Sequence, residues 1–581
     1  MPANDLTAVL PRTRRVAAIG LDAAEWADAQ ALIAEGALPN LEKLVRRSAR
    51  AELEVERPYR AEAVWTEFFS GRPPSDTGYW GVTCFDPATY GVWNQGASTT
   101  TPFHARPDVR TIVFDVPNSA LSADGTGLQV TGWGAHSPQY PTASSPADLV
   151  ARIDERFGVH RAVLSDSDAG WHNEQRATLL ADALVDGART KSHICEWLLE
   201  EQPDWDLFCV VFSEVHTAGH QFLHGIRPDH PLHDTVDTAH AARHFREVWS
   251  AVDEAVGILA GQLEAEDTTL VLFALHGMEP NAGDVTGLVL LPELLHRLSF
   301  GTPFLDFGAW DPDMPPIVPP PDESLEERLL RLLRAPQGAM GGKGALKNRL
   351  AWEARRRLPD RLLARLERAW RRASGASARD TWWELEERPH AIPILDITAE
   401  TAWRPIDYMP ASWYCARWPE MQAFSIPSFS DAHIRINLAG REAAGIVAMD
   451  DYVATLDEVE AALRATSDAR TGAPLVADVH RTRADDPCAP GGPPADLVVT
   501  FAAVTDAIHH PDVGVIGPAP FLRPGEHSPN GWVLVCPPGG ASGALGTHRP
   551  ADIGPTLLDL IGRPASPLCT GTSFADRIPT S

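Results

Sequence analysis

Three short stretches, widely separated in the chain, carry side chains that could bind a metal ion. They are Gly20-Leu21-Asp22, His216-Thr217-Ala218-Gly219-His220 and Leu275-His276-Gly277, and each follows an apolar run typical of a buried strand. An α/β sheet presents its functional groups at the carboxyl ends of its strands. Carboxylate and imidazole ligands suit Zn²⁺ or a similar transition metal. The pattern therefore predicts one metal site and favours a metal-dependent hydrolase.

The histidine pair is the most specific of these signals. His216 and His220 are four residues apart, so on a helix they face the same side and can share one ion. Glu214 stands beside them as a further candidate ligand. A loop histidine near the end of the chain would complete the set, and the residues alone leave His527 and His548 as rivals.

A candidate nucleophile lies in Trp65-Thr66-Glu67-Phe68-Phe69-Ser70-Gly71. This stretch places the Thr66 hydroxyl near the start of a short helix, where helix amides and a bound cation would favour an anion and lower the pKa of the hydroxyl. The alternative is a threonine that only caps the helix. Trp65 could flank the leaving group of a substrate or pack in the core.

The elements that must position these residues alternate between strand and helix. Apolar runs predict strands over 16–21, 206–212 and 269–274, and spaced apolar positions predict a helix over about 236–264. Strand patterns resume at 433–437, 497–501 and 532–536, and a closing helix ends at Gly562. Long crossovers between strands indicate an α/β fold with a mostly parallel central sheet covered by helices.

The length of 581 residues predicts a large core with an insertion. We assign residues 1–301 and 391–581 to the metallo-hydrolase core and residues 302–390 to an inserted helical, Arg-rich cap. The cap follows a proline-rich break at 311–321. Its basic run between Arg355 and Arg372 is either a solvated helix face or a surface turned toward an anionic substrate.

Composition limits the partners and the compartment. A net charge of −28 argues against binding a nucleic acid polymer, which needs a basic footprint. The chain shows neither a signal peptide nor an apolar run near the roughly 18 residues of a membrane span, so no membrane partner is expected. The seven cysteines are dispersed and lack a C-x-x-C motif, which favours a reduced, cytoplasmic location.

Several motifs in a fixed order resemble the alkaline phosphatase superfamily, in its type I phosphodiesterase/nucleotide pyrophosphatase branch. The motifs that carry the resemblance are Gly20-Leu21-Asp22, the stretch 36–41, Trp65-Thr66, Ser70-Gly71-Arg72-Pro73, the stretch 435–447, Gly525-Glu526-His527 and the stretch 554–562. The resemblance implies an alkaline phosphatase-like sandwich with a two-metal site. It also implies a small anionic ester as substrate and a threonine nucleophile that forms a covalent phospho-enzyme.

The resemblance also implies a division of the ligands between two ions. Asp22, Thr66 and His276 would belong to one ion, and the other ion would take the three histidines 216, 220 and 527. The last assignment favours His527 over His548. Zinc is the expected metal, as one or two ions, with manganese as the alternative.

One departure from the family motif bears on the ion count. Leu275 stands where the family has an aspartate, and leucine cannot bind a metal. Either Glu214 or another carboxylate replaces the lost ligand, or the ion on the nucleophile side is weakly held. The leading hypothesis is a phosphodiester, or related phosphoryl or sulfuryl ester, hydrolase with Thr66 as nucleophile. The alternatives are a single-zinc enzyme that uses a metal-bound hydroxide on a non-phosphate substrate, and a degenerate family member without catalysis.

Overall fold

The computed structural model describes residues 15–55, 63–95, 98, 100–134, 142–162, 171–234, 238–264, 267–318, 409–483 and 486–579. Most of the predicted cap, from residue 319 to residue 390, lies outside these ranges, so that assignment stays a prediction. Within the described part of the chain, no helix is both long enough and apolar enough to cross a membrane.

The described strands number as follows in chain order: β1 Val16–Leu21, β2 Ala49–Glu54, β3 Thr83–Asp86, β4 Gly91–Asn94, β5 Arg110–Phe114, β6 Thr126–Thr131, β7 Ala143–Ser145, β8 Leu207–Phe212, β9 Thr269–Ala274, β10 Gly277–Pro280, β11 Ala423–Ile426, β12 Ala432–Ile436, β13 Ser467–Asp468, β14 Val476–Arg481, β15 Leu497–Phe501, β16 Ile508–His510, β17 Gly514–Ile516, β18 Gly525–Ser528, β19 Asn530–Cys536 and β20 Gly543–His548. The described helices are α1 Trp26–Ala34, α2 Pro39–Arg46, α3 Val64–Ser70, α4 Pro74–Thr77, α5 Leu149–Phe157, α6 Glu174–Glu201, α7 Glu214–Phe222, α8 Ala239–Glu264, α9 Gly283–Val285, α10 Leu291–Phe300, α11 Tyr452–Arg464 and α12 Pro550–Ile561.

A nine-stranded sheet forms the centre of the molecule, in the order β20-β2-β19-β9-β1-β8-β5-β6-β7. The strands run parallel except β19, which is antiparallel to both of its neighbours, and β7 at the edge. The expected mostly parallel central sheet is therefore confirmed. β19 comes from the end of the chain yet lies between β2 and β9, which both come from the first half.

Helices cover both faces of the central sheet because alternate residues of each buried strand point to opposite sides. In β1, Ala17 and Ile19 pack in the cluster with α6 and α8, whereas Val16 and Ala18 pack in the opposite cluster with α3 and α12. All six residues of β1 are buried, as they are in β8 and β9. A strand that is apolar on both faces in this way is typical of the middle of a helix-covered parallel sheet.

A second, separate sheet contains two of the late strands. The strand patterns near 433–437 and 497–501 are real, but β12 and β15 belong to a four-stranded antiparallel sheet in the order β11-β12-β15-β14. This sheet has its own apolar core together with α10 and α11. Of the three late strands, only β19 joins the central sheet. The apolar pattern of a strand does not specify its partner, so the sequence alone could not assign these strands to their sheets.

The strand order places the three predicted motifs side by side. β9, β1 and β8 are adjacent and parallel. Their carboxyl ends therefore lead to His276, Asp22 and the start of α7 at one edge of the sheet. The antiparallel pair β10 and β18 then brings the end of the chain to the same edge, with Met278 opposite His527.

Candidate metal centre

Three buried histidines meet at the carboxyl edge of the central sheet. The Nε2 atom of His216 lies 2.6 Å from Nε2 of His220 and 2.9 Å from Nε2 of His527. Two imidazole nitrogens that face each other at such distances cannot both carry a hydrogen, so a shared proton or a cation must lie between them. Within the described part of the chain, this is the group whose ligand atoms are close enough to hold a metal ion.

The opposite nitrogens of two of these rings have oxygen partners. Nδ1 of His216 donates to Oδ2 of Asp22 at 2.9 Å, and Nδ1 of His220 donates to the carbonyl oxygen of Gly525 at 2.7 Å. A histidine that donates from Nδ1 in the neutral form presents the lone pair of Nε2, which is the arrangement of metal-binding histidines. The donor set of three imidazoles, two of them with tautomers fixed by these hydrogen bonds, therefore fits a divalent transition metal such as zinc.

Helix α7 delivers two of the three ligands, and its close approach to β10 and β18 depends on glycines. A Cβ atom at Gly219 would lie 2.8 Å from the terminal methyl carbon of Met278. A Cβ atom at Gly525 would lie 2.3 Å from the carbonyl oxygen of Gly219. Because both positions lack a side chain, α7 lies directly against the two strands, and His220 reaches the Gly525 carbonyl.

Asp22 and His276 adjoin the three-histidine cluster. Oδ1 of Asp22 lies 3.5 Å from Nε2 of His276, while its other oxygen accepts from His216. The ring centroids of His276 and His527 are 4.3 Å apart. The two predicted ligand sets thus form one continuous group, and Asp22 joins them instead of belonging to the His276 set alone.

Burial controls the protonation of His527. Loss of solvent holds its pKa well below the usual histidine value, and the neighbouring rings of His276, His216 and His220 lower it further. A neutral imidazole is the form that can bind a metal. The surroundings of His527 therefore favour its ligand form before any ion arrives.

Thr66 lies in the first turn of α3 and is buried, with 1% of its surface exposed. Its Oγ1 has no hydrogen-bond partner within the described structure. A buried hydroxyl without a partner is rare in proteins and calls for an explanation such as an absent ion or a catalytic role. α3 ends at Ser70, and the next residue, Gly71, has a φ of 65°, in the left-handed region that favours glycine.

Two other predicted site residues occupy apolar positions. Trp65 is buried and meets Phe68 and Phe273 edge-on in the cluster on the α3 side of the sheet. Leu275 is fully buried in the same cluster. Trp65 therefore packs in an apolar cluster and its contact with a substrate stays a prediction, while an apolar side chain fills the position where the family motif has a carboxylate.

The remaining candidates, Glu214 and His548, lie away from the three histidines. The carboxylate of Glu214 contacts Lys191 and His160 instead of a ligand histidine. His548 contacts the Leu545 carbonyl and stacks on Phe574. Of the two rival histidines, the structure brings His527 to the cluster.

Sequence reasoning missed the residues that hold the loop bearing His527. Both oxygens of Glu526 accept from backbone amides, those of Ala282 at 2.9 Å and Gly283 at 3.1 Å. The side chain of Asn281 donates to Asp284 at 2.8 Å, and Arg523 pairs with the same carboxylate at 2.9 Å. Acidic and amide residues close to the two histidine motifs were the available signal, but nothing in the sequence joined the two segments.

Comparisons with known proteins give a family for the chain. The family model for type I phosphodiesterase / nucleotide pyrophosphatase matches residues 16–372, which is more than half of the chain. Among curated proteins there is no match.

Solved structures of low sequence identity resemble the chain. An inactive variant of murine ectonucleotide pyrophosphatase / phosphodiesterase 5 in complex with AMP is 10% identical, with 97% of this chain and 100% of that chain covered and a TM-score of 0.43. Wild-type alkaline phosphatase PafA is 10% identical, with 98% and 99% covered and a TM-score of 0.44. For phosphonoacetate hydrolase from Sinorhizobium meliloti 1021 in complex with phosphonoformate, the values are 14% identity, 47% and 58% coverage and a TM-score of 0.29.

The family match, the mostly parallel sheet and the histidine cluster at its carboxyl edge lead to the same assignment. The resemblance seen in the ordered motifs is confirmed by a model that begins at the first residue of β1. The chain belongs to the type I phosphodiesterase/nucleotide pyrophosphatase family of hydrolases.

Proposed function

We propose that this protein is a metal-dependent hydrolase of phosphodiester bonds, or of related phosphoryl or sulfuryl ester bonds, in a small anionic substrate. The observation that carries the proposal is the convergence of three Nε2 atoms, from His216, His220 and His527, with oxygen partners behind two of the rings. Family membership supplies the reaction class.

Zinc is the proposed metal, with manganese as the alternative, and the three histidines are its ligands. A bound divalent ion would supply Lewis-acid stabilisation of the oxygens of the reacting ester. Asp22 and His276, with Thr66, form a second group of potential ligands. That group lacks a fourth donor because Leu275 is apolar, so we propose that the three-histidine position is the one that binds tightly.

Thr66 is the proposed nucleophile. Its oxygen would form a bond to phosphorus while the bond from phosphorus to the leaving ester oxygen breaks, and the hydroxyl proton would pass through solvent to the leaving oxygen, which departs as an alcohol. The phosphoryl group on Thr66 would keep the second ester group of the diester. Water would then cleave the bond between phosphorus and the Thr66 oxygen, restoring the hydroxyl and releasing the remaining phosphate monoester. The unpartnered, buried Oγ1 supports this role, since a threonine that only stabilised α3 would have a backbone partner.

A second candidate function is favoured by the burial of Leu275 in an apolar cluster. If only one ion binds, a hydrolase in which water attacks the substrate directly becomes possible, and its substrate need not be a phosphate ester. Thr66 would then be structural. The dispersed positions of the cysteines, without a C-x-x-C motif, support a reduced, cytoplasmic compartment for either enzyme.

The experiment compares the Thr66→Ala protein with the unmodified protein on an aryl phosphodiester such as bis(p-nitrophenyl) phosphate. Thr66→Ala should abolish turnover while zinc content, measured by elemental analysis, stays unchanged. The matched control is Ser70→Ala in the same helix, which removes a hydroxyl that exchanges hydrogen bonds with Arg72 and should retain activity.

Acid quenching during turnover, followed by peptide mass spectrometry, tests the covalent step itself. With this substrate, the expected adduct is Thr66 esterified by a p-nitrophenyl phosphoryl group. Full activity of Thr66→Ala, or turnover without any such adduct, would instead favour direct attack by water.

A further inference from the structure

A fully buried lysine lies behind the metal centre, in a network that the proposed reaction does not use. Nζ of Lys191 in α6 contacts Oδ2 of Asp115 at 3.0 Å, the carbonyl oxygen of Val211 at 2.9 Å and Oε1 of Glu214 at 3.2 Å. The side chains of all three ionisable residues are at most 1% exposed. A buried charge of this kind is stable only with close partners, and here every acceptor comes from the carboxyl edge of the central sheet.

His160 completes the network. Its Nδ1 accepts a hydrogen bond from the amide of Ala162 at 3.1 Å, so the ring donates from Nε2 to Oε1 of Glu214 at 3.0 Å. With this tautomer His160 is neutral, and one lysine faces two carboxylates. Glu214, one of these two carboxylates, is the first residue of α7, where the positive end of the helix dipole stabilises its negative charge.

The surrounding backbone is adapted to this arrangement. A Cβ atom at Gly187, in the middle of the 28-residue helix α6, would lie 2.3 Å from Nε2 of His160. Glycine inside a helix costs about 1 kcal/mol relative to alanine, so the contact with the ring explains its presence. Asp115 has a φ of 57°, in the left-handed region that is uncommon for residues other than glycine. One of these two locally unfavourable features makes room for His160, and the other belongs to the second carboxylate that contacts Lys191.

Glu214 connects this network to the metal ligands through α7. It is the first residue of α7, two residues before His216 and six before His220. His216 must keep its Nδ1 on Asp22 of the β1 edge while its Nε2 faces His220. A small rotation of the first turn of α7 would break one of these contacts, because metal sites tolerate deviations of only about 0.2 Å in ligand distance.

We propose that Glu214 is a positioning residue for the metal centre, which fixes the first turn of α7 through Lys191 and His160 and thereby sets the positions of His216 and His220. The inference rests on the proposed three-histidine site and adds a determinant of its affinity. Glu214 is not a ligand in this scheme: its charge acts through the helix that carries the ligands.

The test measures zinc affinity by competition with a chromophoric chelator, together with the visible absorption of the cobalt-loaded protein. Glu214→Gln keeps the shape of the side chain but removes its charge. The variant should bind zinc about tenfold more weakly or worse, which is the usual effect of losing a residue that supports a metal ligand. The cobalt absorption bands should shift, because the ligand geometry changes. Glu214→Asp, which keeps the charge, should recover part of the affinity.

Asp253→Asn is the matched control. Asp253 is also buried, accepts hydrogen bonds from Asn40 and Leu41, and lies on α8 under the same face of the sheet. It should lose thermal stability without any change in zinc affinity. Equal affinity in Glu214→Gln and the unmodified protein would overturn the inference, whereas absence of zinc binding in the unmodified protein would overturn the proposed site instead. If Glu214→Gln does not fold, the same two measurements are made on His160→Gln. This variant keeps the contact between Glu214 and Lys191, and its zinc affinity then decides whether the inference holds.

Discussion

His216 donates from Nδ1 to Oδ2 of Asp22 across 2.9 Å, although the two residues are 194 positions apart in the chain. The contact fixes both the tautomer and the orientation of the ring that lies between the other two ligand histidines. Asp22 follows β1, the central strand of the group β9, β1 and β8, so the sheet itself holds this carboxylate in place. Its position makes Asp22 the first residue to test by mutation.

Replacing Asp22 with asparagine should lower zinc affinity by about 10- to 100-fold, the usual effect of losing the carboxylate behind a metal-binding histidine. Competition with a chromophoric chelator measures this. Asp552→Asn is the control, because Asp552 is also buried and accepts from the amides of Arg549 and Thr572, away from the three histidines. Equal zinc affinity in the Asp22 variant and the unmodified protein would contradict the prediction.

Gly219→Ala should separate α7 from Met278, because the added Cβ atom would lie 2.8 Å from the terminal methyl carbon of that side chain. His220 and His527 would then no longer reach the same ion, and zinc affinity should fall at least tenfold. Gly261→Ala in α8 is the control: no atom lies within 4 Å of its Cβ position, and alanine favours the helix by about 1 kcal/mol. Thermal unfolding with and without zinc compares the two variants, and a Gly219 variant that still gains full stabilisation by zinc would refute the prediction.

Leu275→Asp should raise the zinc content from one ion per chain to two. The unmodified leucine is fully buried in an apolar cluster, so an aspartate there is destabilising unless a cation neutralises it. The metal-free variant should therefore melt at a lower temperature than the unmodified protein, and zinc should restore much of the difference. Leu275→Asn, which is polar but uncharged, should remain at one ion. Two tightly bound ions in the unmodified protein, found by elemental analysis, would show that Leu275 does not limit the site.

Acid should destabilise the protein through His104. Burial lowers the pKa of this residue to about 4, whereas the unfolded chain titrates near 6.5. Below pH 6.5 the unfolded state therefore binds a proton that the folded state does not, and stability falls until the pH reaches about 4, by about 3 kcal/mol in total.

The urea midpoint at pH 7 and at pH 5 checks this expectation. His104→Leu should reduce the difference between the two midpoints. The exposed His509, replaced in the same way, should leave the difference as it is in the unmodified protein. An unchanged difference in His104→Leu would rule out the proposed contribution.

The buried strands were the most predictable part of the fold. The apolar runs in the sequence predicted the first and last residues of β1 and β9 correctly. Strands covered on both faces show such runs because they have few polar positions to interrupt them. The ligand pair in α7 was equally visible, since a spacing of four residues has a direct geometric meaning on a helix.

Pairings between distant segments could not be read in this way. β12 and β19 have similar apolar patterns, yet they lie in different sheets because side-chain contacts with other elements decide their neighbours. The contacts of Glu214 could not be predicted either, and this residue was expected near a metal because of its place in the sequence. Its partner Lys191 lies 23 residues earlier on another helix, and no local pattern connects the two.

The position of β19 has a consequence for how the chain acquires its structure during synthesis. β19 (Asn530–Cys536) lies between β2 and β9, so the central sheet has a gap until this late segment has left the ribosome. Until then β2 and β9 present unpaired edges, which are sites of aberrant association. Closure of the sheet must therefore wait for the synthesis of β19, and a chain that terminates before residue 530 would lack the strand that joins β2 to β9.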